Sequence, residues 1–326
     1  MTATFRVNVA AQARALLDLD QAPVSLGLYP LVRGGYDRII FTGTRAVHLA
    51  ACASWQRMQV GKKVSRWIDT ASLLGEVDAI TSDSLIIATS RSGRCAEVLA
   101  LLERFDQTTW PATLVAVTED LASPLAEAAD CEVLLRSESS SSPTGFLNAL
   151  AAHDYLASMM LGEDNDDVAT TAHVVAATTF PTVVREVAAH HAAHPRGRLA
   201  YFGFDEHAAT ALYAALLTRE TTPVDGHGYI VRRGLPISLV PNVFPSTAVL
   251  FTGSGGADDK CVGRLASELV AAGTAVLIIG STNVPGVQRI SGPDRHVSAQ
   301  VAHGVLIAEH FVSCLAAEAQ ADGLMH

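Results

Sequence analysis

The feature that most constrains this chain is a strand–loop–helix pattern that occurs twice. Leu199 to Gly203 matches Ile39 to Gly43, and Ala248 to Gly255 matches Ile86 to Gly93. Ala275 to Ile279 in turn matches Leu114 to Val117. The strand-end spacing agrees as well: Gly43 to Ser90 is 47 positions and Gly203 to Gly253 is 50. Matching order with matching spacing is the mark of a duplicated unit. Each copy alternates short β-branched or apolar runs with longer helical patterns, which predicts βαβ units and mostly parallel sheets.

In the first half, strands are predicted at Arg38 to Phe41, Ser84 to Ala88, Thr113 to Val117 and Cys131 to Leu135. Helices are predicted at Ala46 to Val60, Arg94 to Phe105, Ala122 to Ala129 and Pro143 to Leu161, the last with proline in its first turn. The acidic stretch Gly162 to Asp167 is the predicted boundary, placing one domain at 1–165 and the second at 166–326. One long helical pattern, Val168 to His194, opens the second half, and an amphipathic helix, Val297 to Ala319, closes it.

Hydrophobic residues make up 49% of the 326 and charged residues 17%, enough apolar side chain for two cores. Lys plus Arg number 23 against 33 Asp plus Glu, a formal charge of -10, which argues against a nucleic-acid partner. The five cysteines include no CxxC pair, so neither a disulfide framework nor a structural zinc site is expected. No apolar run reaches roughly 18 residues and the first residues lack a signal-peptide pattern. A cytoplasmic protein with no membrane partner is the expectation.

The sharpest local feature is Ser90-Arg91-Ser92-Gly93-Arg94-Cys95, between a buried strand and an amphipathic helix. A helix N-terminus presents free amides and a partial positive charge, and two hydroxyls and a glycine there can hold a tetrahedral anion. Two arginines add charge complementarity. The alternative is that Ser92 only caps the helix and the arginines are solvated.

This loop resembles the Ser-x-Ser-Gly-x-Thr phosphate loop of the SIS (sugar isomerase) family, and the duplicated pattern is similar to its tandem-domain members. Three further elements carry the resemblance: Gly43-Thr44-Arg45 after the first strand, Thr118 to Ala126, and the turn from Glu138 to Thr144. It implies an α/β fold of two tandem SIS domains, each a flavodoxin-like or Rossmann-like parallel sheet flanked by helices. Gly43, Thr44, Arg45, Ser90, Arg91, Ser92, Gly93, Cys95, Ser141 and Ser142 would then surround the anion.

Leu216 to Glu220 is similar to the helix end whose glutamate, in related isomerases, carries the proton between C1 and C2 of an open-chain sugar. Glu220 is the matching position. A base that removes and returns a proton on one face of a cis-enediol suits aldose–ketose isomerisation. The family's helix lysine is Leu217 here, and its ring-opening His-Gly-Pro is replaced near Arg232 to Pro236. A ring-opening acid/base would come instead from His227, between Gly226 and Gly228 that would allow close substrate approach, or from His303 on the C-terminal helix.

Neither a metal nor an organic cofactor is expected, since fixed donors can stabilise an enediol. No GxGxxG follows the first strand. Thr252 to Gly256 looks like a second anion loop, but Asp258 and Asp259 follow it, which predicts a structural turn. The partner is a small anionic sugar, either a phosphosugar or a sulfosugar such as sulfoquinovose, and the assembly a homodimer. Amino-sugar-phosphate deamination or deglycation, and a non-catalytic sugar-phosphate sensor, are the alternatives.

Overall fold

The computed structural model describes residues 7–21, 27–107, 112–137, 142–163, 168–194, 197–232, 244–253 and 258–321. Ala10–Ala172 and the chain from His173 onward form two compact units. Residues 164–167 of the acidic stretch lie outside the described residues.

The N-terminal unit holds helices α1 (Val9–Asp20), α2 (Leu28–Val32), α3 (Arg45–Val60), α4 (Thr70–Leu74), α5 (Ala96–Gln107), α6 (Pro124–Ala128) and α7 (Ser142–Leu161). Its strands are β1 (Arg38–Gly43), β2 (Ser65–Trp67), β3 (Ser84–Thr89), β4 (Thr113–Thr118) and β5 (Cys131–Leu134). They form one sheet in the order β2-β1-β3-β4-β5, and every pairing is parallel. Ile40, Ile86 and Leu114 face a core with Leu101 and Leu125, so α5 and α6 cover that side. Ile39, Phe41, Leu85, Ile87 and Val115 are equally buried on the other side. Burial on both faces is why these strands read as continuous apolar runs.

Helix α8 (Val168–Ala177) spans the division between the units. The C-terminal unit continues with α9 (Thr182–Ala192), α10 (Ala208–Thr221), α11 (Asp258–Ala271) and α12 (Val297–Ala321). Strands β6 (Leu199–Phe204), β7 (Gly226–Val231), β8 (Thr247–Phe251), β9 (Ala275–Ile279) and β10 (Gln288–Ile290) pair in the order β10-β9-β8-β6-β7, again all parallel. Leu199, Tyr201, Val249 and Phe251 pack with α9, α10 and α12; Ala200, Phe202 and Leu250 pack with α11. Counted from its first strand, each sheet has the order 2-1-3-4-5. This is the flavodoxin-like arrangement, in which the crevice between strands 1 and 3 is the natural ligand position.

One sequence expectation is corrected. Val168 to His194 is two helices, interrupted at 178–181, because Pro181 has no N–H to donate and disfavours helical geometry at Phe180. Helix α12 is by length and composition apolar enough to span a membrane, although Gln300, His303 and Glu309 interrupt its apolar residues. It is instead a core helix, with 78% of its most apolar window buried.

Candidate functional site

The first sheet brings two loops together at its switch point. Gly43 at the end of β1 stands opposite Thr89 at the end of β3, so the residues that follow each strand meet. A Cβ on Gly43 would lie 2.7 Å from the Thr89 carbonyl, which leaves room there for glycine alone. Beyond that contact, Thr44 Oγ1 and Ser90 Oγ lie 3.7 and 3.5 Å from Cys95 Sγ. Three small donor groups thus converge just ahead of α5, whose N-terminus adds partial positive charge.

Backbone bonds hold the loop in place. The Ser90 amide donates to Val117 O at 3.0 Å, and the Gly93 amide to Ser90 O at 3.1 Å. Gly93 has φ +59°, and a Cβ on it would lie 2.2 Å from Ser123 Oγ, so the turn requires glycine twice over. Ser92 Oγ accepts from the Arg94 amide at 3.2 Å, closing a local turn on an exposed side chain.

The arginines are not bare charges. Arg91 Nε donates to Glu119 Oε1 at 3.0 Å, and Ser137 donates to the same carboxylate. Arg91 also lies against α7, where a Cβ on Gly145 would sit 3.0 Å from its Nε. Arg94 is exposed and binds Asp120 Oδ2 and the Ala122 carbonyl. Arg45, also exposed, has φ +54°. Of the expected turn, Ser141 lies outside the described residues, and Ser142 opens α7.

Two histidines beneath this loop escaped the sequence reading. His153, wholly buried in α7, bonds Thr89 Oγ1 through Nε2 at 2.8 Å and meets Phe41 edge-on at 5.9 Å. Burial pushes its pKa down to about 3. His48, in the first turn of α3, stacks on Trp67 at 4.7 Å and is lowered to about 4 by burial, against the opposing pull of Asp69. Both rings are neutral at pH 7 and hold the strand ends from below. The detectable signal was a histidine set in a helix as apolar as Phe146 to Met160.

In the C-terminal unit, Glu220 is exposed in the last turn of α10. His227 is exposed on β7, with Nε2 3.0 Å from Asp225 Oδ2. The glycines flanking it do not open a path for substrate. A Cβ on Gly228 would lie 2.8 Å from the Ala211 carbonyl, and one on Gly226 would lie 3.1 Å from Thr218, so both admit α10 against the strand. His303 is part-buried on α12, its Nδ1 3.2 Å from Thr178 Oγ1.

Residues 36–161 match the family model for the SIS domain. No curated protein matches the chain in sequence. Among solved structures, the chain is similar to the C-terminal domain of glucosamine-fructose-6-phosphate aminotransferase from Francisella tularensis. That match has TM-score 0.75 and 13% identity, over 95% of this chain and 94% of that one. It is also similar to tagatose-6-phosphate ketose/aldose isomerase from Escherichia coli (TM-score 0.73, 20% identity, 95% and 90% covered). A third similar structure is glucosamine-6-phosphate deaminase from Thermotoga maritima (TM-score 0.65, 17% identity, 97% and 93% covered).

Proposed function

We propose that this chain, which carries a SIS domain at residues 36–161, is an aldose–ketose isomerase acting on a phosphosugar through a cis-enediol. The observation that carries this proposal is the convergence of Thr44, Ser90 and Cys95 at the switch point of the first sheet, ahead of a helix N-terminus. Neutral donors around a positive helix end suit a phosphate monoester. Arg91 is paired with Glu119 and Arg94 with Asp120, so in this reading the neutral donors and the helix end, rather than bare guanidinium groups, meet the phosphate. The fold shared with a ketose/aldose isomerase and a deaminase supports the same chemical class.

In this proposal the Ser90 loop holds the phosphate, Glu220 carries the proton between C1 and C2, and His227, oriented by Asp225, serves ring opening. The neutral donors that hold the substrate oxygens would also stabilise the enediolate. A homodimer in a reducing cytoplasm is part of the same proposal.

The test is proton NMR in heavy water with a panel of sugar phosphates, amino-sugar phosphates and sulfosugars. Deuterium wash-in at C1 or C2, lost in Glu220→Gln, is the expected result. Ammonia release from the amino sugars would redirect the assignment to deamination. Saturable binding without exchange would make the chain a sensor.

A further inference from the structure

The C-terminal unit has its own crevice at the equivalent switch point, between β6 and β8. A cavity of about 250 Å³ opens there. His207 enters from the turn after β6, Thr252 and Gly253 follow β8, Ser281 follows β9, and His303 projects from α12. Each of these residues belongs to the one unit.

The lining is unusual in its unmet hydrogen bonds. Both ring nitrogens of His207, Thr252 Oγ1 and His303 Nε2 are buried without a partner among the described residues. His207 is 4% exposed and Thr252 3%, so bulk water does not satisfy them. Buried polar atoms are normally paired, and four orphans on residues that line one cavity call for an occupant. Gly253 and His207 border the same space, since a Cβ on Gly253 would stand 3.7 Å from His207 Nε2.

The donor set identifies the ligand class. Burial holds both imidazoles below their ordinary value, His207 at about 4, where the nearby His303 lowers it further. The neutral His207 ring offers one donor and one acceptor nitrogen, His303 offers Nε2 alone because its Nδ1 meets Thr178 Oγ1, and the Thr252 hydroxyl both donates and accepts. Of the other lining residues, Arg289 and Asp294 are exposed and carry one charge of each sign. A phosphate or carboxylate would only accept hydrogen bonds and would leave the acceptor nitrogens unmet. Hydroxyl groups both donate and accept.

We propose that this cavity is a second ligand site, built around His207, Thr252 and His303, for an uncharged polyhydroxylated molecule such as a free sugar or polyol. It is distinct from the Ser90 loop, which lies in the other unit, and it accounts for His303 without a role in the isomerisation.

The experiment uses the full chain with 15N-labelled histidines and follows their ring nitrogens by long-range proton–nitrogen NMR. Glucitol and glucose are titrated in turn, each with inorganic phosphate already present at saturation. The expected result is a saturable shift of the His207 and His303 signals. Thr252→Val, which keeps the side-chain shape and removes one hydroxyl, should weaken that binding about tenfold. Ser90→Ala should leave it unchanged. Absence of a saturable shift with either polyol would overturn the proposal, the cavity then holding water alone. Conversion of both rings to the protonated pattern by phosphate would also overturn it, by making the cavity an anion site. Equal weakening by Ser90→Ala would place the polyol at the other loop.

Discussion

Arg45 and Asp205 share the left-handed backbone conformation, with φ +54° and +49°, each two residues beyond the glycine of its unit's first strand, Gly43 or Gly203. The side chains have opposite charge, yet the chain turns the same way into each crevice. A non-glycine residue in this region costs about 1–2 kcal/mol, and the expense is met twice at the same register. The conformation therefore belongs to the architecture of the turn rather than to either side chain.

Relief of that strain is measurable. Arg45→Gly removes an exposed side chain and the Cβ that opposes φ +54°, while glycine loses somewhat more backbone entropy on folding. The net expectation is a gain of about 0.5–1 kcal/mol, read as a higher urea midpoint at unchanged slope. A lower midpoint would mean that Arg45 makes a contact worth more than the strain.

Phosphate affinity tests the first loop. Ser90→Ala removes the buried hydroxyl of the three-donor cluster and should weaken inorganic phosphate binding about tenfold by calorimetry. Cys95→Thr replaces a weak thiol donor with a hydroxyl, 3.5 to 3.7 Å from Ser90 and Thr44, and should tighten it roughly threefold to tenfold. If neither variant moves the affinity, the anion binds elsewhere.

Two glycines with positive φ separate backbone strain from collision. Gly35 has φ +77° with open space around its missing Cβ, so Gly35→Ala should cost about 1–2 kcal/mol. Gly93→Ala adds a clash with Ser123 and should cost roughly 3 kcal/mol or more. Equal losses in thermal unfolding would show that Ser123 moves aside.

Acid should destabilise the chain earlier than its carboxylates alone would. His153 and His207 are lowered by burial to about 3 and about 4, against about 6.5 in the unfolded chain. Between those limits the unfolded state binds a proton that the native state refuses. Stability is thus full above about pH 6.5 and falls as the pH drops, by about 1.4 kcal/mol per unit for each group. Denaturant midpoints across this range should show that slope, and His153→Gln should flatten it by one group's share. A midpoint constant down to about pH 5 would contradict burial of the neutral rings.

The central strands, the duplication and the Ser90 loop were legible in the sequence. Strands buried on both faces must be continuous apolar runs, as Leu85 to Ala88 and Val249 to Phe251 are, and a loop between such a run and an amphipathic helix can only open at a strand end. The edge strands were not legible. Ser65–Trp67 and Gln288–Ile290 are three residues each and exist because β1 and β9 offer them a parallel partner. The break at Pro181 was written in the residues but was outweighed by the helical period around it.

What the sequence determined by itself was the alternation of elements and the position of the Ser90 loop, because both depend on local patterning and on glycine at fixed offsets. Tertiary structure decided the charge and solvation of the side chains. Arg91 meets Glu119 across 28 positions of chain, and His207 shares a cavity with His303 across 96. Whether an arginine is bare or a histidine neutral depends on what other elements place beside it, and that is fixed only when the sheets are assembled.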